Sequence, residues 1–397
     1  EEEEADVLWI NTCAFLKEAR REAESVIRRA CVWKKARKGR RICVAGCLPE
    51  WDRDGTCRKK FPDVDAWLGI DSVADAGRAA RAICEGTEGI SSAPCEKRWI
   101  CDEDAPRALS GSGHCAYVKV ADGCDNHCAY CLIPSIRGSL RSRTVESVVA
   151  EAKNLLDMGV RELVLIAQDT GAFGRDRTGK SELPRLLDEL DRLDGDFLLR
   201  VMYVHPASIS DDMIDAFRRC RRLVRCIETP VQHVSEPILS AMNRHVSESK
   251  LRETLRKLRE AGFALRTTLM VGFPGETEED FEKLKELVSA GTFERLGVFV
   301  YSAEPETPAA AMKDAVPAHV AAARRDALMK IQAGLSKAAN ARLVGSAVET
   351  IVDELRGSGR AIGRLLNDAP EVDQCVHLRS CPRSLRPGDV VRVRVTK

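Results

Sequence analysis

The run Ala121-Asp-Gly-Cys-Asp-Asn-His-Cys-Ala-Tyr-Cys-Leu132 places Cys124, Cys128 and Cys131 within eight residues, at a C-x3-C-x2-C spacing. Thiolates are the soft ligands that iron–sulfur clusters and zinc select. Three of them can hold three corners of a cubane cluster, which leaves one iron open to a substrate or cofactor. A zinc knuckle or reduced core thiols are the alternatives, but zinc ribbons show paired C-x2-C units with a fourth ligand nearby. The spacing favours the cluster, and an open iron is a place for chemistry.

Outward from this loop, from residue 117 on, apolar β-rich runs alternate with amphipathic helical patterns, the sign of a parallel βα array. Strands are expected at 117–121, 162–167, 198–204, 226–231, 265–271 and 296–301. Helices are expected between them at 145–158, 183–193, 211–219, 251–261 and 278–290, with apolar residues three and four apart. Six βα units predict a partial (β/α)6 barrel of the TIM type. Working residues of such barrels sit on the loops after the strands. Cys124, Cys128 and Cys131 follow the first strand; Gln168-Asp-Thr170, His205-Pro206, Gln232-His233 and Gly272-Phe-Pro-Gly-Glu276 follow the next four. Their shared position predicts convergence on one site, although Pro274-Gly275 alone is a turn signal and His233 alone reads as a loop histidine.

Upstream, 6–11 and 41–45 read as buried strands, with helical patterns at 19–34 and 73–84: a smaller α/β unit. Each strand runs into a cysteine, in Asn11-Thr-Cys13 and Ala45-Gly-Cys47, and strand-end thiols of one sheet can face one pocket. A structural role for these two is the competing interpretation. The segment 85–112, rich in Gly, Ser, Pro and charge, reads as a linker. Beyond about residue 345, short alternating runs at 347–352, 359–365 and 389–395 are separated by Gly, Pro and Asp turns, the pattern of a small antiparallel β-barrel. Its basic residues Arg360, Arg364, Arg379, Arg383, Arg386, Arg392 and Arg394 are interleaved with Asp353, Glu354, Asp368, Glu371, Asp373 and Asp389. That mixture suits a protein partner at least as well as RNA, or simply a solvated surface. The expected division is therefore an α/β multidomain chain with domains at 1–100, 110–340 and 343–397.

A length of 397 residues fits two or three domains. Lys and Arg number 62 against 61 Asp and Glu, so no global field draws the chain to nucleic acid or anionic lipid, and any RNA contact must be local. Sixteen cysteines, with no apolar leader and no stretch of eighteen apolar residues, point to a reducing, cytoplasmic setting without a membrane. Cys31, Cys43, Cys57, Cys84, Cys95, Cys101, Cys115, Cys220, Cys226, Cys375 and Cys381 show no partner spacing and read as buried or incidental.

The cysteine spacing and the barrel behind it resemble the radical-SAM enzymes. Asn11-Thr-Cys13, Ala45-Gly-Cys47, Gly123-Cys124 through Arg143, Gly272 to Glu276 and the terminal barrel, in that order, resemble one group of them: the methylthiotransferases. These carry a flavodoxin-like N-terminal domain, a radical-SAM barrel and a C-terminal TRAM domain, which is OB-like. The resemblance implies that S-adenosylmethionine chelates the open iron and is cleaved to a 5′-deoxyadenosyl radical that abstracts hydrogen from an unactivated carbon. It makes Cys124, Cys128 and Cys131 the catalytic ligands, and puts Tyr130, Gln168, Asp169, Gly272 and Gly275 around the cofactor. It further implies a second four-iron cluster, with Cys13 and Cys47 as its second and third ligands. The first has no counterpart before Glu1-Glu-Glu-Glu-Ala-Asp6, so a truncated start and an incomplete second site are expected.

Ile133-Pro-Ser-Ile-Arg-Gly-Ser-Leu-Arg-Ser-Arg143 resembles the ribosomal-protein branch rather than the tRNA branch. Tyr203-Val-His-Pro206, Pro230-Val-Gln-His233 with Met242-Asn-Arg244, and Ile362-Gly-Arg with Asp368-Ala-Pro-Glu-Val-Asp373 match it too. That branch implies methylthio transfer to the β-carbon of an aspartate of ribosomal protein S-12, docked by the TRAM domain, with an electron donor and a sulfur donor as further partners. The competing functions are tRNA adenosine methylthiolation, a radical-SAM methylase or sulfur-inserting enzyme that can dispense with Cys13 and Cys47, and an iron–sulfur redox or scaffold protein without turnover.

Overall fold

A computed structural model describes residues 3–87, 89–91, 100–105, 107–109 and 113–396. Cys95 and much of the expected linker lie outside these residues. The chain forms two compact units. The first takes Glu1–Cys101, Asp122–Leu140 and Ser302–Ala311; the second takes the remainder, including the C-terminal sheet.

The first unit is built on a parallel sheet of β1 (Val7–Thr12), β2 (Arg41–Gly46), β3 (Ala66–Leu68) and β4 (Ile90–Ser91), side by side in chain order. A helix at Lys17–Lys35 crosses from β1 to β2 and buries Ala23, Ile27 and Ala30, spaced four and three apart as one helical face requires. Glu18 in its first turn and Lys34 and Lys35 in its last complement the helix dipole. Leu132 and Ile136, from the segment that carries the three clustered cysteines, are buried in the same core as Ile27, Ile42 and Val44. Each such side chain contributes about 1.5–3 kcal/mol by leaving water, so the cysteine loop is anchored through its own flank.

The second unit contains six parallel strands: β5 (Cys115–Lys119), β6 (Glu162–Ile166), β7 (Leu198–Val201), β8 (Cys226–Glu228), β9 (Ala264–Val271) and β10 (Arg295–Val300). β5, β6 and β7 form one ladder and β8, β9 and β10 another. Hydrogen bonds from Val204 N–H to the Glu228 carbonyl and from Val224 N–H to the Leu199 carbonyl, 3.0 and 2.9 Å, join the two. The expected helices form at Val145–Asp157, Leu183–Asp191, Asp211–Arg219, Glu248–Glu260 and Glu278–Ser289. Thr144, Ser210, Ser247 and Thr277 cap four of them, each hydroxyl accepting a backbone N–H of the first turn.

A helix absent from the sequence expectations, Ala318–Leu343, packs along β10. Its buried positions are Ala321, Arg324, Leu328 and Gln332, so half of its inward stripe is polar and the hydrophobic period is masked. Arg324 is accommodated because Nη1 donates to Glu276 Oε1 at 2.7 Å.

The C-terminal sheet comprises β11 (Ala347–Leu355), β12 (Arg360–Leu365), β13 (Val376–Arg379) and β14 (Val390–Arg394), antiparallel in the order β13-β12-β11-β14. It curls into a half-barrel over Val352, Ala361, Leu378 and Leu385. β13 was not expected from the sequence.

The charges of this sheet correct the sequence interpretation. Arg364, Asp368 and Asp373, taken there as part of a mixed surface, turn into the barrel floor. Arg364 pairs with Glu162 at the start of β6, Asp368 with Arg295 at the start of β10, and Asp373 with Arg266 on β9. Asp353 lies 3.1 Å from His114 and 3.2 Å from Arg364. Ala369 is buried against Val164 and Met202. The run from Asp368 to Asp373 thus plugs the N-terminal end of the barrel, the end associated with stability rather than catalysis; within it only Glu371 and Val372 are exposed. No described helix is long and apolar enough to cross a membrane.

Candidate active site

The loop with the three thiols is fixed by its own backbone. Gly123 adopts φ +77°, and a Cβ there would lie 2.0 Å from the Ser139 carbonyl oxygen, so only glycine fits before Cys124. Cys124 N–H donates to the Gly138 carbonyl at 3.1 Å, and Cys131 N–H to that of Cys128 at 3.0 Å. Asp125 Oδ1 accepts the Leu140 N–H at 3.0 Å. From the returning segment, Ala309 N–H donates to the Ala129 carbonyl at 2.9 Å. That segment is held in turn by buried Glu304, whose carboxylate accepts from Arg20 at 2.6 Å and from the Lys17 N–H at 2.9 Å.

Cys128 is buried, Cys124 and Cys131 half-buried. Asn126 Nδ2 donates to the Cys124 sulfur and Ile133 N–H to the Cys131 sulfur, both at 3.4 Å. Donors aimed at sulfur suit thiolates carrying charge toward iron. Among the described residues no three His, Cys, Asp or Glu side chains are arranged around a single ion. A cubane asks for something else, one thiolate for each of three irons, and this donor set fits it. Tyr130 is half-buried between the second and third cysteines.

Cys13 and Cys47 belong to the same unit. Register pairs Thr12 with Gly46, so both cysteines occupy the position just past their strand ends. Thr12 Oγ1 stitches the two ends, donating to the Ala45 carbonyl at 2.7 Å and accepting the Leu48 N–H at 3.2 Å. Cys13 is exposed and Cys47 buried. Burial pushes the Cys47 thiol up; Arg137, whose Nη2 lies 3.3 Å from the sulfur, works against that rise, and the Cys13 thiol adds to it. Asp122 and Arg137, which support both cysteine sets, had no role in the sequence expectations. Only their places beside Cys124 and within the 133–143 signature pointed to them.

In the second unit the remaining expected residues stand at the C-terminal ends of parallel strands. Gln168, after β6, has a buried Oε1 without a hydrogen-bond partner, which leaves that oxygen able to accept from a ligand. Asp169 is committed internally: Oδ1 accepts the His205 N–H at 3.1 Å and Oδ2 the Ser208 hydroxyl at 2.7 Å, tying the ends of β6 and β7. His205 and His233 are buried and neither Nε2 makes a hydrogen bond, that of His233 lying 3.9 Å from Glu276 Oε2; burial lowers both, His233 to about 4, so both are neutral at pH 7. After β9, Glu276 Oε2 accepts the Gly272 N–H at 2.7 Å, and Gly275 N–H donates to the Asp314 carbonyl at 2.9 Å. Gly272, at φ +76°, would bring a Cβ within 2.5 Å of the Ala321 Cβ, so close packing of the Ala318–Leu343 helix accounts for that glycine.

A three-thiol loop after the first strand of a parallel βα barrel defines a radical-SAM protein, and the model of the Radical SAM superfamily matches residues 118–288. The Uncharacterized protein family UPF0004 matches residues 1–69 and the TRAM domain 344–397. A solved radical S-adenosylmethionine methyltransferase, TsrM of Kitasatospora setae, shares the fold, with TM-score 0.58 at 16% identity over 77% of this chain and 64% of that one. The chain is 40% identical to the ribosomal protein uS12 methylthiotransferase RimO of Geobacter sulfurreducens over 100% of its own length and 89% of the relative's. It is 39% identical to that of Pelotomaculum thermopropionicum, with coverage of 99% and 88%. The chain belongs to the RimO family of radical-SAM methylthiotransferases.

Proposed function

We propose that the chain adds a methylthio group to the β-carbon of an aspartate of ribosomal protein uS12. The observation that carries this is identity near 40% across the whole chain to enzymes named for that protein. Cys124, Cys128 and Cys131 would hold the four-iron cluster, whose open iron takes S-adenosylmethionine. Bound together, they supply hydrogen abstraction from a carbon that no protein base can deprotonate at neutral pH. The protein's share is placement. Asn126 and the Ile133 N–H orient the ligand sulfurs, and the Gln168 amide oxygen would be an acceptor for the cofactor. Asp169, Gly272 and Gly275 fix the strand-end loops of the second unit, and Tyr130 would border the cluster.

Cys13 and Cys47 would hold a second cluster that carries the sulfur, with a sulfur donor and an electron donor as partners. Residues 1–100, 110–340 and 343–397 would serve sulfur delivery, radical generation and substrate docking. With a ribosomal substrate the enzyme would act in the cytoplasm.

A second interpretation is favoured by one feature. A groove of about 1160 Å³ across β13 and β14 is lined by Arg379, Arg392 and Arg394, with no Asp or Glu among the described residues that line it. Such a surface suits a phosphate backbone as well as a protein. Incubation of the reconstituted enzyme with uS12 and tRNA together, followed by mass spectrometry, decides. A methylthio adduct on uS12 is expected; an adduct on tRNA alone overturns the substrate assignment.

A further inference from the structure

Arg137 stands between the two sets of cysteines. Its Nη1 lies 3.0 and 3.1 Å from the two oxygens of Asp122, which also accepts the Gly123 N–H at 2.9 Å. Its Nη2 lies 3.3 Å from the Cys47 sulfur. Asp122 is fully buried. The contact therefore has a fixed base: Asp122 begins the cysteine loop, Arg137 ends the helix Ile133–Arg137 that follows it, and Leu132 and Ile136 root that helix in the core.

The chemistry of the contact is specific. A guanidinium keeps its charge at any working pH, and its planar fork can serve two partners at once. A neutral thiol is a weak acceptor for such a donor, whereas a thiolate accepts a charge-assisted bond. Hydrogen bonds and charge at cluster sulfurs set the reduction potential. A cation beside one ligand favours the more negative, reduced state.

We propose that Arg137 is a positioning residue for the sulfur-delivering half of the enzyme: it clamps the Cys47 sulfur to the loop that carries Cys124, so that one guanidinium sets the seat and the potential of the N-terminal cluster. The proposal rests on the assignment of Cys47 to that cluster under the proposed function.

The test uses the full chain with Cys124, Cys128 and Cys131 replaced by Ala, so that only the N-terminal site can load. It is reconstituted anaerobically with iron, sulfide and dithiothreitol, whose thiols complete any corner the chain does not. Iron per chain, the paramagnetic resonance of the reduced cluster and its midpoint potential are read with Cys47→Ala, Arg137→Gln and Arg137→Lys added singly. Cys47→Ala is expected to lose the iron. Arg137→Gln is expected to keep most of it, but with the reduced-to-oxidised ratio at fixed potential falling at least tenfold, about 59 mV for one electron. Arg137→Lys, which keeps the charge but not the fork, should shift less in the same direction. Iron unaffected by Cys47→Ala overturns the cluster assignment and the proposal with it. Iron lost in Cys47→Ala, with signal and potential unmoved in Arg137→Gln, overturns the role of Arg137 alone. Should Arg137→Gln fail to load, an unmoved signal and potential in Arg137→Lys overturns that role equally.

Discussion

Arg364 and Glu162 lie 202 residues apart in sequence and meet as a buried ion pair, 3% and 0% exposed at the side chain. Glu162 also accepts Arg200 Nε at 3.0 Å, so one carboxylate compensates two guanidiniums. Removing the carboxylate should cost more than removing either arginine. Glu162→Ala is expected to destabilise by about 3–5 kcal/mol, since it leaves Arg200 buried without a carboxylate while Arg364 keeps Asp353; Arg364→Ala, which leaves Glu162 paired to Arg200, should cost less. Denaturant midpoints would show the order, and equal losses would refute it.

The same floor carries a pH dependence. Burial pushes Glu228 up to about 7 despite Arg266, with Asp373 adding to the rise. The folded chain therefore holds a proton that the unfolded chain releases near 4.5. Between those values the folded state binds more protons, so this group's contribution to stability falls as pH rises from about 4.5 through about 7. Glu228→Gln should flatten that slope in urea titrations at pH 5.5 and 7.5.

Gly272→Ala combines a positive φ with a close approach to Ala321. A loss of about 2–3 kcal/mol is expected. Ala321→Gly in the same chain should recover the steric part and leave the backbone part.

Gln168→Leu separates binding from folding. Because Oε1 has no partner to lose, stability should change by less than about 0.5 kcal/mol, while the dissociation constant for S-adenosylmethionine rises. Unchanged affinity by calorimetry would remove Gln168 from the cofactor site.

Cys124→Ala should abolish reductive cleavage of S-adenosylmethionine to 5′-deoxyadenosine while the far-ultraviolet spectrum stays unchanged. Persisting cleavage would dismiss the three-cysteine assignment.

The barrel was readable because its strands are continuous apolar runs and its helices show a clean apolar face, as in Leu251, Leu255 and Leu258. The cysteine loop was readable because spacing alone encodes its ligand set. The helix Ala318–Leu343 was not, because its inward stripe includes Arg324 and Gln332. β3 is three residues long, too short for any period to register. Arg364, Asp368 and Asp373 looked like surface charge, since a sequence does not show that the partner of a charge lies 73 to 202 residues away. Asp169 and Gly272 stood out at strand ends, yet much of what fixes them is local architecture.

The closed barrel floor bears on synthesis. Glu162, Arg266 and Arg295 emerge from the ribosome well before their partners Arg364, Asp373 and Asp368. Domains tend to fold from the N-terminus as they are made, but here the barrel floor is not closed until residues 364–373 have been translated. A nascent chain stalled before residue 360 would leave Arg295 without Asp368 and Arg266 without Asp373, so proteolysis of stalled chains should show the barrel becoming resistant only once residue 373 has emerged.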